Sequence, residues 1–539
     1  MASSLKASQE GLKIVDIARR RRGWTKTRTL NWWQSARSSQ ATLRRFWRGI
    51  AIDRDTFISI CQAVGVTDWE SVASEVEFTA TSIQVSGQNR DEDDTKGKYQ
   101  DWGDAPDVSG FYGRTKELAT LEQWITGDRC KLVTILGMGG IGKTSVVVEL
   151  ADRIQDQFDY LIWRSLKSAP PLQSLLEDLQ AFFTQSHDFT ILQDLSRNVT
   201  SVIEYLRQYR CLLILDEMES IFYVQENSPY TQCGRYRVGC EDYGNFLHRL
   251  VNERHQSCII LTSREKPEEV ATNEGKDLPV RSFPLRGLEV EEAKDLFRAK
   301  GFSGTESGLA ELIQLYSGSP LALKVTASTI QEVFNNSVRE FLSQNTLIIG
   351  DRLRALLQQQ TCSLSNLERE IIYWLAIAQH PLSIDLLRSK MLSNPVASTI
   401  IQVLSSLERR SLLEKMIEDN KTLFTLQPMV KKYAIEELSD QLLHEILETI
   451  NLQDICELRN LRSLDLRSSD SKPHRLNVIS ESQLLGRLKQ SIHNSFRSEQ
   501  AIVLHFQPLL NLLQGKSVLT TGYIDSNIRL LLKTLEIDA

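Results

Sequence analysis

Apolar and polar positions divide the chain into blocks. Between Phe111 and about Leu285, helical stretches alternate with five short apolar runs: KLVTIL, YLIWRSL, CLLILD, CIILTS and VRSFPL. Runs this unbroken suit the strands of a parallel sheet covered on both faces. Over residues 286–350 the apolar positions recur at helical spacing, as in VEEAKDLFRAKG and LAELIQLYSGSPLALKVTASTI. Residues 351–440 predict three helices and then a short strand pair, SLLEKMIEDNKTLFTLQ, which is the order of a winged helix. Residues 441–539 return to amphipathic helix and end in GYIDSNIRLLLKTLEIDA. The expected fold class is multidomain α/β plus α: a parallel-sheet domain over 109–285, a helical lid, a winged helix and a helical tail.

Two blocks of different character come first. Residues 1–74 predict three or four short helices. GLKIVDIARRRRG is ended by Gly23, SSQATLRRFWRG has capping serines and Gly49 at its end, and DRDTFISICQAVGV is opened by Asp53. Short helices with tight turns are what a helix-turn-helix needs. Trp24, Trp32, Trp33 and Trp47 are expected in the core of so small a domain. Residues 75–108, with SGQNRDEDDTKGKYQDWGDAPD, are polar, acidic and nearly without aliphatics, so they read as a linker.

Composition adds bounds. A chain of 539 residues is too long for one core and suggests roughly three to five domains. The net charge of −6 hides an asymmetry: residues 11–50 hold eleven Lys and Arg against the single acid Asp16. A basic N-terminal block on an acidic body suggests an anionic partner for that block. The eight cysteines are scattered through apolar segments, which fits a reduced, cytoplasmic protein. No run of eighteen apolar residues predicts a membrane span, and MASSLKASQEGL lacks the apolar centre of an export signal. Cys233, Cys240, His248 and His255 lack the close cysteine spacing of a zinc site.

The chemistry concentrates after the first apolar run. In VTILGMGGIGKTSVVVEL, Gly137, Gly142, Lys143 and Thr144 fit G-x-x-x-x-G-K-[ST]. Glycines let backbone N–H groups turn inward around phosphates, and the following helix aims its N-terminal dipole at them. Gly139, Gly140, Ile141 and Ser145 complete the predicted nucleotide cradle. Lys143 is expected to reach the β- and γ-phosphates, and Thr144 to offer its hydroxyl to Mg²⁺. CLLILDE delivers Asp216 to a strand end, where a carboxylate can hold the Mg²⁺ shell. Glu217 follows and can orient or deprotonate an attacking water. CIILTSREKP brings Arg264 to another strand end, where its charge can detect a γ-phosphate. The bland alternative is a surface arginine paired with Glu265 or Glu268.

FYGR at 111–114, GMGGIGKT, LILDE, LTSR and GSPLAL at 318–323 occur in the order and spacing of the NB-ARC family. The chain resembles these nucleotide switches of the STAND class over roughly residues 109–440. The resemblance implies ATP or ADP as ligand, with Phe111, Gly113, Arg114 and Pro320 near the adenine and the winged helix closing over the nucleotide. It also implies self-association in the ATP form and a sensor or effector partner. One departure stands out. Leu426, Gln427 and Pro428 occupy the family's Met-His-Asp positions, so Gln427 replaces the histidine that would touch the ADP β-phosphate. A glutamine can donate a hydrogen bond there but cannot carry charge. The wording is similar to that of cyanobacterial-type NB-ARC proteins, longer members of which carry β-propeller or pentapeptide repeats.

The N-terminal block resembles a repressor-type helix-turn-helix. Arg44, Arg45 and Arg48 lie at i, i+1 and i+4 of a predicted helix and can face a phosphate backbone. The same arginines can instead meet an acidic protein surface, as in an adaptor domain. Three functions therefore stand side by side: a signalling switch, a nucleotide-controlled DNA-binding regulator, and a working ATPase motor.

Overall fold

The computed structural model describes residues 4–5, 7–22, 46–47, 52–73, 99–108, 110–184, 194–222, 234–344, 347–378, 380–418, 420–452, 454–467, 481–496, 498–513 and 516–535. Residues 1–95 and 96–539 form two compact units.

In the first unit, β1 (Ser4–Leu5) pairs antiparallel with β2 (Ile52–Asp53). Helix α1 (Gln9–Arg21) starts where the Ser8 hydroxyl accepts from the Gly11 N–H, and α2 (Arg54–Ala63) follows β2. Val15, Phe46, Phe57, Ile60 and Val72 form the small core. Gly11 is required by packing, since a Cβ there would lie 2.2 Å from the Val72 carbonyl oxygen. Trp47 packs edge-on against Phe46, at the margin of this core. The strand pair was not legible in the sequence. Trp24, Trp32, Trp33, Arg44, Arg45 and Arg48 lie outside the described residues, as do Gly23 and Gly49.

The second unit is built on a six-stranded sheet, wholly parallel, in the order β3-β5-β6-β7-β4-β8. Its strands are β3 (Tyr99–Asp101), β4 (Leu132–Leu136), β5 (Tyr160–Ser165), β6 (Cys211–Asp216), β7 (Cys258–Ser263) and β8 (Val280–Pro284). The five apolar runs are the five inner and later strands. The sixth, β3, comes from the segment expected to be linker: Tyr99–Asp101 pairs with Tyr160–Ile162 and stacks Tyr99 on Tyr160. That polar composition suits an edge strand, whose outer side needs no apolar cover.

Alternate residues of one strand serve opposite faces, as the pleat requires. Leu213 and Leu215 join a core with α5 (Leu172–Thr184), α6 (Leu195–Gln208) and α7 (Asp242–Asn252). Leu212 and Ile214 join the opposite core with α3 (Thr115–Glu122) and α4 (Lys143–Ile154). A short helix, α8 (Glu268–Asn273), precedes β8.

The chain is then helical through α9 (Val290–Ala299), α10 (Leu309–Leu315), α11 (Pro320–Phe334), α12 (Val338–Ser343) and α13 (Asp351–Thr361). Next come α14 (Asn366–Ile377), α15 (Ile384–Lys390) and α16 (Ala397–Arg409), then the antiparallel pair β9 (Leu413–Glu418) and β10 (Lys421–Leu426). Helix α17 (Pro428–Leu452) follows directly and runs 25 residues, through the boundary expected at 440. The remaining helices are α18 (Arg459–Ser463), α19 (Glu481–Phe496), α20 (Glu499–Leu513), α21 (Val518–Thr521) and α22 (Ile524–Thr534). One continuous apolar core joins residues from Leu288 to Leu535 and takes in Met138 of the loop after β4. The segments after the sheet are thus packed as one body, although the sequence divides them into three. Among the described residues, no helix is long and apolar enough to cross a membrane.

Candidate phosphate-loop site

The loop between β4 and α4 is shaped by glycines that no other residue replaces without strain. Gly137, Gly140 and Gly142 have φ of +157°, +81° and +99°. A Cβ on Gly140 would stand 2.6 Å from Leu321 Cδ2. The loop delivers Lys143 to the first turn of α4, where the side chain is buried. Its ammonium donates to the carbonyls of Gly137 (2.8 Å) and Met138 (3.2 Å). Burial pushes the Lys143 pKa down, with nearby Glu219 pulling the other way.

Because β7 lies between β4 and β6, Thr262 near its end stands between the loop and the Asp216 strand. Thr262 donates its hydroxyl to Asp216 Oδ1 and accepts the Glu217 N–H at 3.0 Å. Thr144 Oγ1 also donates to Asp216 Oδ1, at 3.0 Å. Asp216 is 5 % exposed, and burial pushes its pKa from 3.8 up to about 6 against these two hydrogen bonds. A buried carboxylate flanked by a loop hydroxyl is an all-oxygen donor pair, the kind Mg²⁺ takes. Glu217 sits in the left-handed region at φ +59°, a conformation that costs a non-glycine residue about 1 kcal/mol or more. The sequence therefore brought Lys143, Thr144, Asp216 and Glu217 to one place.

Arg264 also reaches the loop: a Cβ on Gly139 would lie 3.5 Å from its guanidinium carbon. Its carboxylate partner is neither Glu265 nor Glu268. Glu219 holds it instead, with Arg264 Nε 2.9 Å from Oε1 and the Arg264 N–H 3.2 Å from Oε2. Gln359 of α13 accepts from Arg264 Nη1 at 3.0 Å. Glu219 was missed because it is two residues past Glu217. Only the 3₁₀ turn Met218–Ile221 folds it back.

Arg114 is 2 % exposed and clamps the loop from behind. It donates to the Ile141 carbonyl (3.2 Å), the Gly287 carbonyl (3.3 Å) and Glu117 (2.8 Å). Its own N–H donates to Glu292 at 2.7 Å. Phe111, Arg114, Ile141, Gly142, Ser145 and Pro320 line a cavity of about 140 Å³ beside the loop. Tyr112 and Lys324 line it too and were not picked out in the sequence. Gly113 stands next to it at φ +69°, with Glu292 where a Cβ would go. Pro320 begins α11, and the next N–H, of Leu321, donates to the Gly140 carbonyl at 3.3 Å.

Gln427 is not brought into this cluster. It follows the last residue of β10, Leu426, and its carbonyl accepts the Lys431 N–H at 2.9 Å in the first turn of α17. Gln427 is absent from the residues lining the cavity.

The NB-ARC domain family model matches residues 114–223. An uncharacterized WD repeat-containing protein of Nostoc sp. is 36% identical, over 100% of this chain and 46% of its own length. A disease resistance-like protein of Arabidopsis thaliana is 29% identical over 41% of this chain and 17% of its own length. A nucleotide-binding leucine-rich repeat-like protein of Hyaloscypha variabilis is 24% identical over 67% of this chain and 36% of its own. The chain spans less than half the length of these relatives. Among solved structures, the Walker-type ATPase of Pyrococcus abyssi aligns at 18% identity and a TM-score of 0.40, covering 60% of this chain and 96% of that one. The glycine loop ending in Lys143 and Thr144, the strand that delivers Asp216, and the matched family model agree: the chain carries an NB-ARC domain with a P-loop nucleotide cradle.

Proposed function

We propose that the protein is an ATP/ADP-dependent switch of signal transduction, in which Mg-ATP binding and slow hydrolysis control domain opening and self-association. The observation that carries this reading is that distant segments share one loop. Arg264 follows β7, Leu321 belongs to α11 and Leu356 to α13, and all three pack against Gly139 or Gly140. A ligand shifts an arrangement only through contacts that differ between states, and a phosphate in this loop would change contacts to all three segments.

The roles follow from the side chains. Loop N–H groups and the α4 N-terminus favour phosphate oxygens. The Lys143 ammonium, buried among carbonyls, gains an anionic partner that offsets its desolvation. Thr144 and Asp216 would hold Mg²⁺, which when bound supplies neutralisation of phosphate charge. Glu217 orients a water and takes up its proton on the carboxylate. Arg264, held by Glu219 and Gln359, supplies the charge that a γ-phosphate would engage. Adenine recognition by Phe111, Gly113, Arg114 and Pro320 belongs to the same reading. So do a cytoplasmic setting and a sensor or effector partner on residues 441–539.

The test is nucleotide retention and mass. Lys143→Ala should abolish ATP and ADP retention while leaving the circular dichroism spectrum unchanged, and wild type should gain mass in ATP over ADP by light scattering. Wild-type affinity in Lys143→Ala would refute the site. Fast turnover by a monomer of constant mass would refute the switch.

The charge of the N-terminal unit favours a second reading, a nucleotide-controlled regulator that binds DNA. Eleven basic residues lie within 11–50, and Arg19 and Arg20 share the one acid there, Asp16.

A further inference from the structure

Just past the loop-facing Arg264, the chain is fastened to the end of α16. The Ser411 hydroxyl donates to the Arg264 carbonyl at 3.4 Å. The Lys266 N–H donates to the Arg409 carbonyl (3.1 Å), and Arg409 Nη2 donates back to the Lys266 carbonyl (3.0 Å). Between these bonds stands a charge cluster. Arg410 is 2 % exposed, and its Nη1 lies 3.1 Å from Glu265 Oε1. The same Nη1 bonds the Ser363 hydroxyl, and Nε stands 3.9 Å from Glu368 Oε1. Glu368 is fully buried and already committed: it accepts from Ser406 (2.5 Å) and from the Ser365 N–H (2.7 Å). Gly234 donates to the other Glu265 oxygen at 3.4 Å.

We infer that Arg410 is a positioning residue for the phosphate site: it pins Glu265, and through it Arg264, to α16, so that Arg264 and the helical segment move only together. The inference rests on the switch reading above and names the joint through which that switch would act. Residues 264, 265 and 266 each bond to 411, 410 and 409, an antiparallel clasp across some 145 positions of sequence. A surface ion pair breaks at little cost, whereas a buried arginine that loses its carboxylate is left with an uncompensated charge. The clasp is therefore all-or-none. Arg264 can shift relative to Gly139 only if α16 follows or the whole cluster opens. Neither neighbour of Arg264 at the loop, Glu219 or Gln359, provides this link, because Glu219 is on the sheet domain itself and Gln359 bonds only the guanidinium tip.

The experiment uses the full chain and three variants: Arg410→Gln, Glu265→Gln, and both together. Melting temperature is read beside the dissociation constants for ATP and for ADP. Each single variant strands a buried charge and should lower the melting temperature. The double variant replaces the ion pair with two amides and should recover part of it, since Glu368 still loses the cation beside it. All three should shift the ratio of the ATP and ADP dissociation constants by about tenfold, as Arg264 loses its fixed position. A structural role alone would lower stability and scale both constants together. A wild-type ratio in the double variant overturns the inference, and that variant carries the test if the single ones do not fold. Lys143→Ala is run alongside. If it binds nucleotide like wild type, the switch reading fails. If it loses nucleotide while the Arg410 variants keep the wild-type ratio, only the clasp fails.

Discussion

Asp216 is a carboxylate kept in a place that suits it poorly, and removing its charge should stabilise the protein. It is 5 % exposed, and its pKa is pushed from 3.8 up to about 6, chiefly by burial. A rise of about two units corresponds to about 3 kcal/mol between its protonation states. The sign follows from proton counting. Between pH 3.8 and about 6 the folded state holds the Asp216 proton that the unfolded state has released. Stability contributed by this group therefore falls as pH rises through that window and stays low above it. Asp216→Asn keeps an oxygen to accept from Thr144 and Thr262 but carries no charge. The variant's advantage over wild type should grow from about 1 kcal/mol at pH 4.5 to about 3 kcal/mol at pH 7.5, the latter about 5–10 °C in the melting of the sheet domain. The assay is differential scanning fluorimetry of both proteins in EDTA without nucleotide, across pH 4.5–7.5. Other groups titrate alike in both, so the difference isolates position 216. Adding Mg-ATP should reverse the ranking, because only wild type keeps the carboxylate that would hold the metal. A pH-independent difference, or a less stable variant at pH 7.5 in EDTA, would refute the reasoning.

Two further outcomes are expected. Steady-state hydrolysis should run well below about 10 s⁻¹, since product release requires enclosing segments to part, and Glu217→Gln should slow it further by about a hundredfold in single-turnover assays. If residues 1–75 bind nucleic acid, retention in a gel shift should fall steeply with salt, and Arg44→Ala with Arg45→Ala should weaken it again; a blank gel at low salt for duplex DNA, single-stranded DNA and RNA would leave the adaptor reading.

The parts of the site that were legible in sequence are those fixed by local chemistry. A glycine loop between a strand and a helix has few alternatives, so Gly137 to Thr144 could be assigned from spacing, and Asp216 from the apolar run ahead of it. Glu219 and Gln359 were illegible because their role is set by a turn and by a partner 95 residues from Arg264. Strand β3 was hidden by its composition: YQD carries no apolar signal, and its place at the sheet edge is fixed by pairing with Tyr160–Ile162. Gln427 occupies the family's histidine position by resemblance, yet it is not among the residues lining the cavity beside the loop. One helix also spans the boundary expected at 440. Helix α17 continues because Leu438, Leu442 and Ile446 keep one face buried past it.

These omissions share a direction. What the sequence displays is the cradle, and what it conceals is how the cradle is held. Lys143 spends its ammonium on the Gly137 and Met138 carbonyls, so engaging a phosphate requires it to change partners. The Gly140 carbonyl is already taken by the Leu321 N–H, and the Ile141 carbonyl by Arg114. A loop with its outer carbonyls bound by other segments cannot rearrange alone. The rearrangement reaches α11 through Leu321, α13 through Gln359 and α16 through the clasp at Arg410. An enzyme tuned for turnover gains nothing from such coupling, because each cycle would have to move the same mass of packed helix. A switch needs it, since the only quantity a bound nucleotide can transmit is the difference it makes to contacts like these.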